Sequence, residues 1–324
     1  MRKQNKKSGG LIFGLLCLTG LVIILALKLA SPAAKTSSSK TSRPVFTPEA
    51  AVQTSGASNH APESAIRADS IRSPYAILVR TSDHAVLVQK ESDAKIYPAS
   101  LTKIMTAIIA IENLPDLQQK IDLSPTMFQP LYQADASLAG FKPGEKVRAL
   151  DLLYGALLPS GAECSIGLAD AVSGSERSFA EKMNQKAQSL GMQHTHFTNA
   201  TGLQNPDHYT TVRDLSVLLE YALQNKVFRS IFTSSRHSAP PTNKHPDGIT
   251  FKSTLSRVLP DAALPNGQIL GGKTGFTDDA GLCLASLARV GRQEYILVTA
   301  GAKGDHKTEQ YDIDDAREVY AKLK

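Results

Sequence analysis

Hydrophobic and polar positions divide this 324-residue chain into three stretches. The first contains an uncharged run from Leu11 to Leu27, preceded by Arg2, Lys3, Lys6 and Lys7 and closed by Lys28. Such a run reaches the lower edge of what spans a bilayer, where about 17–25 apolar residues are needed. The basic residues before it belong on the cytoplasmic side, which puts everything after it outside. Residues 1–30 therefore read as a membrane anchor or signal segment. Pro32 falls inside the small-residue site around Ser31 and Ala33, which disfavours cleavage, so a retained anchor is expected. Residues 31–68 are rich in Ser, Thr, Pro, Ala and Lys and read as a flexible tether.

From residue 69 to residue 324 the pattern becomes that of a folded domain. Tyr75–Val79 and Ala85–Val88 are short β-branched runs separated by Thr81-Ser82-Asp83-His84, which predicts a hairpin. Gly281–Val290 and Glu294–Ala300 form a second pair around Gly291-Arg292. Between the pairs the spacing is mainly helical. Leu101, Ile104, Met105 and Ile108 make one stripe, and Leu215, Leu218, Leu219 and Ala222 make another. Ile313, Ala316, Val319, Tyr320 and Leu323 give a last helix. Strands at both ends with helices between predict an α+β fold, an antiparallel sheet flanked by helices with a helical subdomain.

Charge changes the picture only by its location. The net charge is +6, but residues 1–68 hold nine Lys or Arg against two acids, leaving 27 bases and 28 acids beyond them. The basic excess belongs to anchor and tether, so no nucleic-acid partner is expected. Cys164 and Cys283 do not make a disulfide framework; one bond between them is open, but two unpaired buried thiols is the expected state. His194 and His196 lack a third ligand at metal spacing and read as structural or surface residues, so neither metal nor cofactor is expected. His208 and Tyr209 precede a helix opened by Thr211, with Asp214 in capping-box position.

Three motifs carry chemistry. Ser-x-x-Lys occurs as Ser37/Lys40, Ser92/Lys95 and Ser100/Lys103, and only the last opens an amphipathic helix, marked by Pro98 and Ser100. That spacing puts a hydroxyl and an amine one turn apart, and a desolvated lysine there serves as the serine's base. Gly271-Gly272-Lys273-Thr274-Gly275 places a cation and a hydroxyl beside glycines that admit a ligand backbone, which suits a carboxylate. Ser160 lies in Leu158-Pro159-Ser160-Gly161 between two apolar helical segments.

In this order the three motifs resemble the penicillin-recognising serine enzymes. Within them the match is to the low-molecular-mass penicillin-binding proteins with D-alanyl-D-alanine carboxypeptidase activity. Tyr97–Thr106 is similar to the family's nucleophile helix, His194–Leu215 to its middle segment and Lys273–Ser286 to its third-motif strand and hairpin. The resemblance runs from about residue 70 to residue 324. It implies a β-lactamase/DD-peptidase-like fold, with peptidoglycan stem peptide and β-lactams as ligands. By position, Ser100 is the expected nucleophile, Lys103 its base and Ser160 the proton relay. Lys273, Thr274 and Gly275 belong to the expected carboxylate site, and the N–H groups of Ser100 and Phe276 to the oxyanion hole. Two departures stand out. The family's Ser-x-Asn has Ala162 at the Asn position, with Glu163 either a substitute or an exposed residue. The chain also ends soon after its last helix, where many relatives add a β-rich domain. A peptide- or penicillin-binding protein without useful turnover is the alternative. A β-lactamase is less favoured, because no Glu-x-x-Leu-Asn segment lies between Ser160 and Lys273.

Overall fold

A computed structural model describes residues 66–324. The expected anchor and nearly all of the expected tether lie outside the described residues. Among the described residues no helix is long and apolar enough to cross a membrane.

The first hairpin is β1 (Tyr75–Arg80) and β2 (Ala85–Lys90). Next come α1 (Thr102–Asn113), β3 (Lys120–Asp122), α2 (Phe128–Gln133) and β4 (Lys146–Arg148). The helical part continues with α3 (Ala149–Leu157), α4 (Ala162–Ser173), α5 (Glu176–Ser189), α6 (Val212–Gln224) and α7 (Lys226–Phe232). A small pair, β5 (Arg236–Ala239) and β6 (Ile249–Lys252), precedes α8 (Thr254–Val258) and β7 (Ala263–Leu264). The chain returns as β8 (Gly267–Thr277), β9 (Gly281–Val290) and β10 (Gln293–Ala302), then α9 (Tyr311–Ala321).

Both ends of the domain build one antiparallel sheet of order β2-β1-β10-β9-β8-β7. β1 pairs with β10 in a register that runs from Tyr75 opposite Ala300 to Arg80 opposite Tyr295. The central strands read as unbroken apolar runs because helices cover both sheet faces. Ile77, Val79, Ile296 and Val298 point into one core with α1 and α6, while Ala76, Leu78, Tyr295 and Leu297 point into another with α9. Tyr320 of α9 is fully buried, and its hydroxyl donates to the Ser286 carbonyl at 3.1 Å. That contact satisfies a polar tip inside an apolar layer.

α1 runs through the larger core, with Thr102 to Ala110 all buried. Its polar residues are tied to the 198–208 segment. Thr106 Oγ1 donates to the Ala200 carbonyl at 2.7 Å, and Thr102 Oγ1 lies 2.8 Å from His208 Nε2. His208 Nδ1 accepts the Thr198 N–H at 3.0 Å, so Nε2 carries the proton and donates to Thr102. Burial pushes this imidazole down to about 4, keeping it neutral. The expected capping box before α6 is half formed. Thr211 Oγ1 accepts the Asp214 N–H at 3.0 Å. Asp214 Oδ2 instead accepts the His194 N–H and the Thr195 hydroxyl, because those donors close over the helix start. Cys164 and Cys283 are both buried and unpaired.

Candidate active site

Ser100 marks the helix start, as expected, but lies just ahead of the α-helix itself. It sits in a tight 3-10 turn, Ala99–Leu101, that leads into α1, and its side chain makes no capping bond. The turn is strained, because Ala99 takes φ +45° in the left-handed region that alanine avoids. Backbone on both sides holds it there. Gly202, at φ +80°, packs so tightly that a Cβ would lie 1.8 Å from the Ala99 oxygen. Gly275 of β8 packs from the other side, where a Cβ would lie 3.0 Å from the Ser100 nitrogen. Gly275 thus meets the nucleophile's own backbone. Strain held in the residue next to the reactive one is consistent with a functional site.

Lys103 lies one turn along the same face. Its Nζ is 2.9 Å from Ser100 Oγ and donates to the Thr201 carbonyl at 2.6 Å. The side chain is 2% exposed, and burial pulls its pKa down to about 8. As an ammonium it donates to both oxygens. Once neutral, its lone pair accepts the Ser100 hydroxyl, the arrangement of a base beside a nucleophile. The rate of acylation at Ser100 is expected to rise about tenfold per pH unit below Lys103's pKa and level off above it. Stopped-flow acylation by a penicillin across that range checks this. A rate flat from about pH 6 to about pH 9 would exclude Lys103 as the base.

Ser160 and Lys273 form a second cluster. Ser160 occupies the corner between α3 and α4, again with positive φ, at +71°. Lys273 is fully buried and donates to Ser160 Oγ at 2.9 Å and to the Thr274 carbonyl at 2.6 Å. Burial, and then the charge of Lys103, push Lys273 well below its ordinary value. Lys273 Nζ is turned into Ser160, so the half-buried Thr274 hydroxyl, 2.7 Å from Thr254 Oγ1, is more accessible than the amine.

A cleft of about 510 Å³ opens over Ser100, Lys103, Ala162 and Phe276. Ala162 begins α4, and its N–H donates to the Ser137 carbonyl at 2.8 Å, so its methyl group stands where an amide was expected. Glu163 neither replaces that amide nor faces solvent. It is fully buried, and its Oε1 accepts the N–H groups of Ala139, Gly140 and Phe141 at 2.8, 3.0 and 3.3 Å.

Sequence reasoning gave no role to the loop that positions Lys103. Asn199 Oδ1 accepts the N–H of Gly202 at 2.7 Å and of Thr201 at 3.2 Å, and its Nδ2 donates to the Leu203 carbonyl. Glu176 Oε1 accepts the Ala200 N–H at 2.9 Å. The Asn-Ala-Thr-Gly stretch was the available signal, since an Asx residue followed by glycine marks a turn closed by its own side chain.

The family model described as D-alanyl-D-alanine carboxypeptidase matches residues 60–304. The chain belongs to this family. It is 30% identical over 227 residues to D-alanyl-D-alanine carboxypeptidase DacF of Bacillus subtilis, covering 70% of this chain and 57% of DacF. It is 31% identical over 260 residues to DacC of Escherichia coli, covering 76% of this chain and 60% of DacC. The chain thus spans under two thirds of the length of these two relatives. The crystal structure of the Streptomyces K15 DD-transpeptidase superposes with TM-score 0.70 at 27% identity, covering 78% of this chain and 97% of that one. The β-lactamase/DD-peptidase-like fold expected from the motifs is therefore the fold observed. The strained nucleophile turn and the two lysine–serine pairs all lie within the residues that match the family.

Proposed function

We propose that this protein is a serine-type D-alanyl-D-alanine carboxypeptidase that removes the terminal D-alanine from peptidoglycan stem pentapeptides and is acylated by β-lactams. The observation that carries the reading is the 2.9 Å contact between a desolvated Lys103 and Ser100 Oγ at the floor of an open cleft. Family membership supports it.

In this mechanism neutral Lys103 takes the Ser100 proton as Oγ attacks the penultimate D-Ala carbonyl. The N–H groups of Ser100 and Phe276 receive the developing oxyanion, a contribution worth about 10²–10³ in rate per donor. Thr274, with Lys273 behind it, holds the terminal carboxylate. Ser160 passes its proton to the leaving D-Ala amine and recovers one from Lys273, the group bonded to its Oγ; the proton that Lys103 took from Ser100 then replaces the one Lys273 gave up, which leaves Lys103 neutral again. Water then attacks the acyl-serine with Lys103 again as base, releasing the tetrapeptide and restoring Ser100. The basic residues ahead of Leu11–Leu27 support a membrane anchor with this domain outside the cytoplasm.

Ala162 favours one competing reading, a protein that binds wall peptide or penicillin without useful turnover. Release of free D-Ala from a pentapeptide by the full-length chain decides between them. Steady release supports the carboxypeptidase. Stoichiometric penicillin labelling with no D-Ala released supports the binding protein.

A further inference from the structure

Glu163 stands next to the position where the family pattern expects an amide, yet its side chain points away from the cleft. Its Oε1 gathers three successive backbone N–H groups, at 139–141. Three donors on one carboxylate oxygen fix a loop more firmly than neutral contacts do. The same segment carries Ala134, Asp135, Ala136 and Ser137, which line the cleft together with Phe276. The loop is clamped a second time by the Ala162 N–H on the Ser137 carbonyl. Gly161 completes the fit, because a Cβ there would lie 2.8 Å from Ala139 Cβ and 2.9 Å from Glu163 Oε2.

The other carboxylate oxygen has no such role. Oε2 is buried without a hydrogen-bond partner among the described residues. An unpaired oxygen on a buried carboxylate is costly and needs a compensating charge nearby. Burial raises the Glu163 carboxyl above its ordinary value, the loop N–H groups oppose that rise, and Lys103 is the cation whose charged form Glu163 favours. Lys103 is faced by Glu163 and Cys164 from α4, Glu176 from α5, Lys273 from β8 and His208 from the segment before α6. Of the groups that raise it, Glu163 comes first. Burial holds the Cys164 thiol well above its ordinary value, so it stays uncharged, and His208 is neutral as well.

We infer that Glu163 is a positioning residue for the catalytic site: its carboxylate fixes the cleft wall at residues 134–141 and sets a negative charge against Lys103. Two opposed influences then act on the base. Burial favours the neutral amine that takes the Ser100 proton. Glu163 favours the ammonium that must hold that proton while the acyl-serine forms. A base matched to its task lies between these limits. This inference rests on Lys103 acting as the base for Ser100.

The test uses the full-length chain with Glu163→Gln and Glu163→Asp, reading acylation by a fluorescent penicillin against pH together with the thermal transition. Glu163→Gln keeps the shape and removes the charge. Its pH limb is expected to fall by about one unit, raising the acylation rate relative to its plateau about tenfold on the acid side. Glu163→Asp keeps the charge but is one methylene short of the loop. Its limb is expected to stay in place while the plateau rate falls about tenfold as the wall shifts. An unmoved limb in Glu163→Gln overturns the proposal, as does a loss of rate that only follows a lowered thermal transition. Should Glu163→Gln fail to fold, the plateau of Glu163→Asp decides, and an unaltered plateau overturns the proposal. Acylation without D-Ala release in the unaltered chain would remove the carboxypeptidase reading and leave this inference standing.

Discussion

Lys103→Met is expected to leave a folded protein that is acylated about 10³-fold more slowly, within the roughly 10²–10⁴ that a positioned general base supplies. Methionine nearly matches the lysine stem in volume, and α1 is buried around it. Replacing a buried cation by an apolar side chain of similar size is often neutral or stabilising. The Thr201 carbonyl loses one donor, at a cost of about 1 kcal/mol. The thermal transition should therefore move by only a few degrees while the rate collapses. The limb set by Lys103 should also vanish from the pH profile. A variant that keeps both its rate and its limb would assign the base to another group, and Lys273 is the only other buried lysine among the described residues.

Gly202→Ala should cost nearly as much by a different route. The residue touches no substrate in the proposed mechanism, but it is the backbone wedge under the nucleophile turn. Its φ of +80° costs alanine about 1–2 kcal/mol of strain. The larger effect is steric, since the new Cβ would lie 1.8 Å from the Ala99 oxygen and 3.0 Å from the Ser100 nitrogen. Neither is the end of a flexible side chain, so the turn carrying Ser100 must move. A displacement of about 1 Å at a reacting atom lowers rates about 10²-fold. Gly174→Ala is the control, because Gly174 has φ +74° but nothing within 4 Å of the added Cβ. It should lose comparable backbone stability and no acylation rate. Equal acylation losses in the two variants would show that strain alone, and not contact with the nucleophile turn, is responsible.

The sequence made the sheet legible where burial is two-sided. β9 was recognised as Gly281–Val290 because every residue but one faces a core or its margin. The helix stripe after Ser100 was legible for the same reason. The short pairs β3–β4 and β5–β6 were not, since three or four residues carry too little periodicity. Within the site, Ser100, Lys103, Ser160 and Lys273 stand out by residue type and spacing. Their distribution into two separate pairs does not, because it depends on how α4 and β8 meet. Nor does the role of Glu163, whose three partners lie 22 to 24 positions earlier in the chain. Ala99 shows the limit most plainly. Nothing in an alanine announces a left-handed backbone, and only Gly202 and Gly275 packed against it account for that conformation.

The most direct test of this account is the mass of the full-length chain after brief exposure to benzylpenicillin, followed by mapping of the modified peptide. The account predicts one covalent adduct of the whole antibiotic, located on Ser100 and absent from Ser100→Ala. An adduct on Ser160 or any other residue, or an adduct that persists in Ser100→Ala, would contradict it.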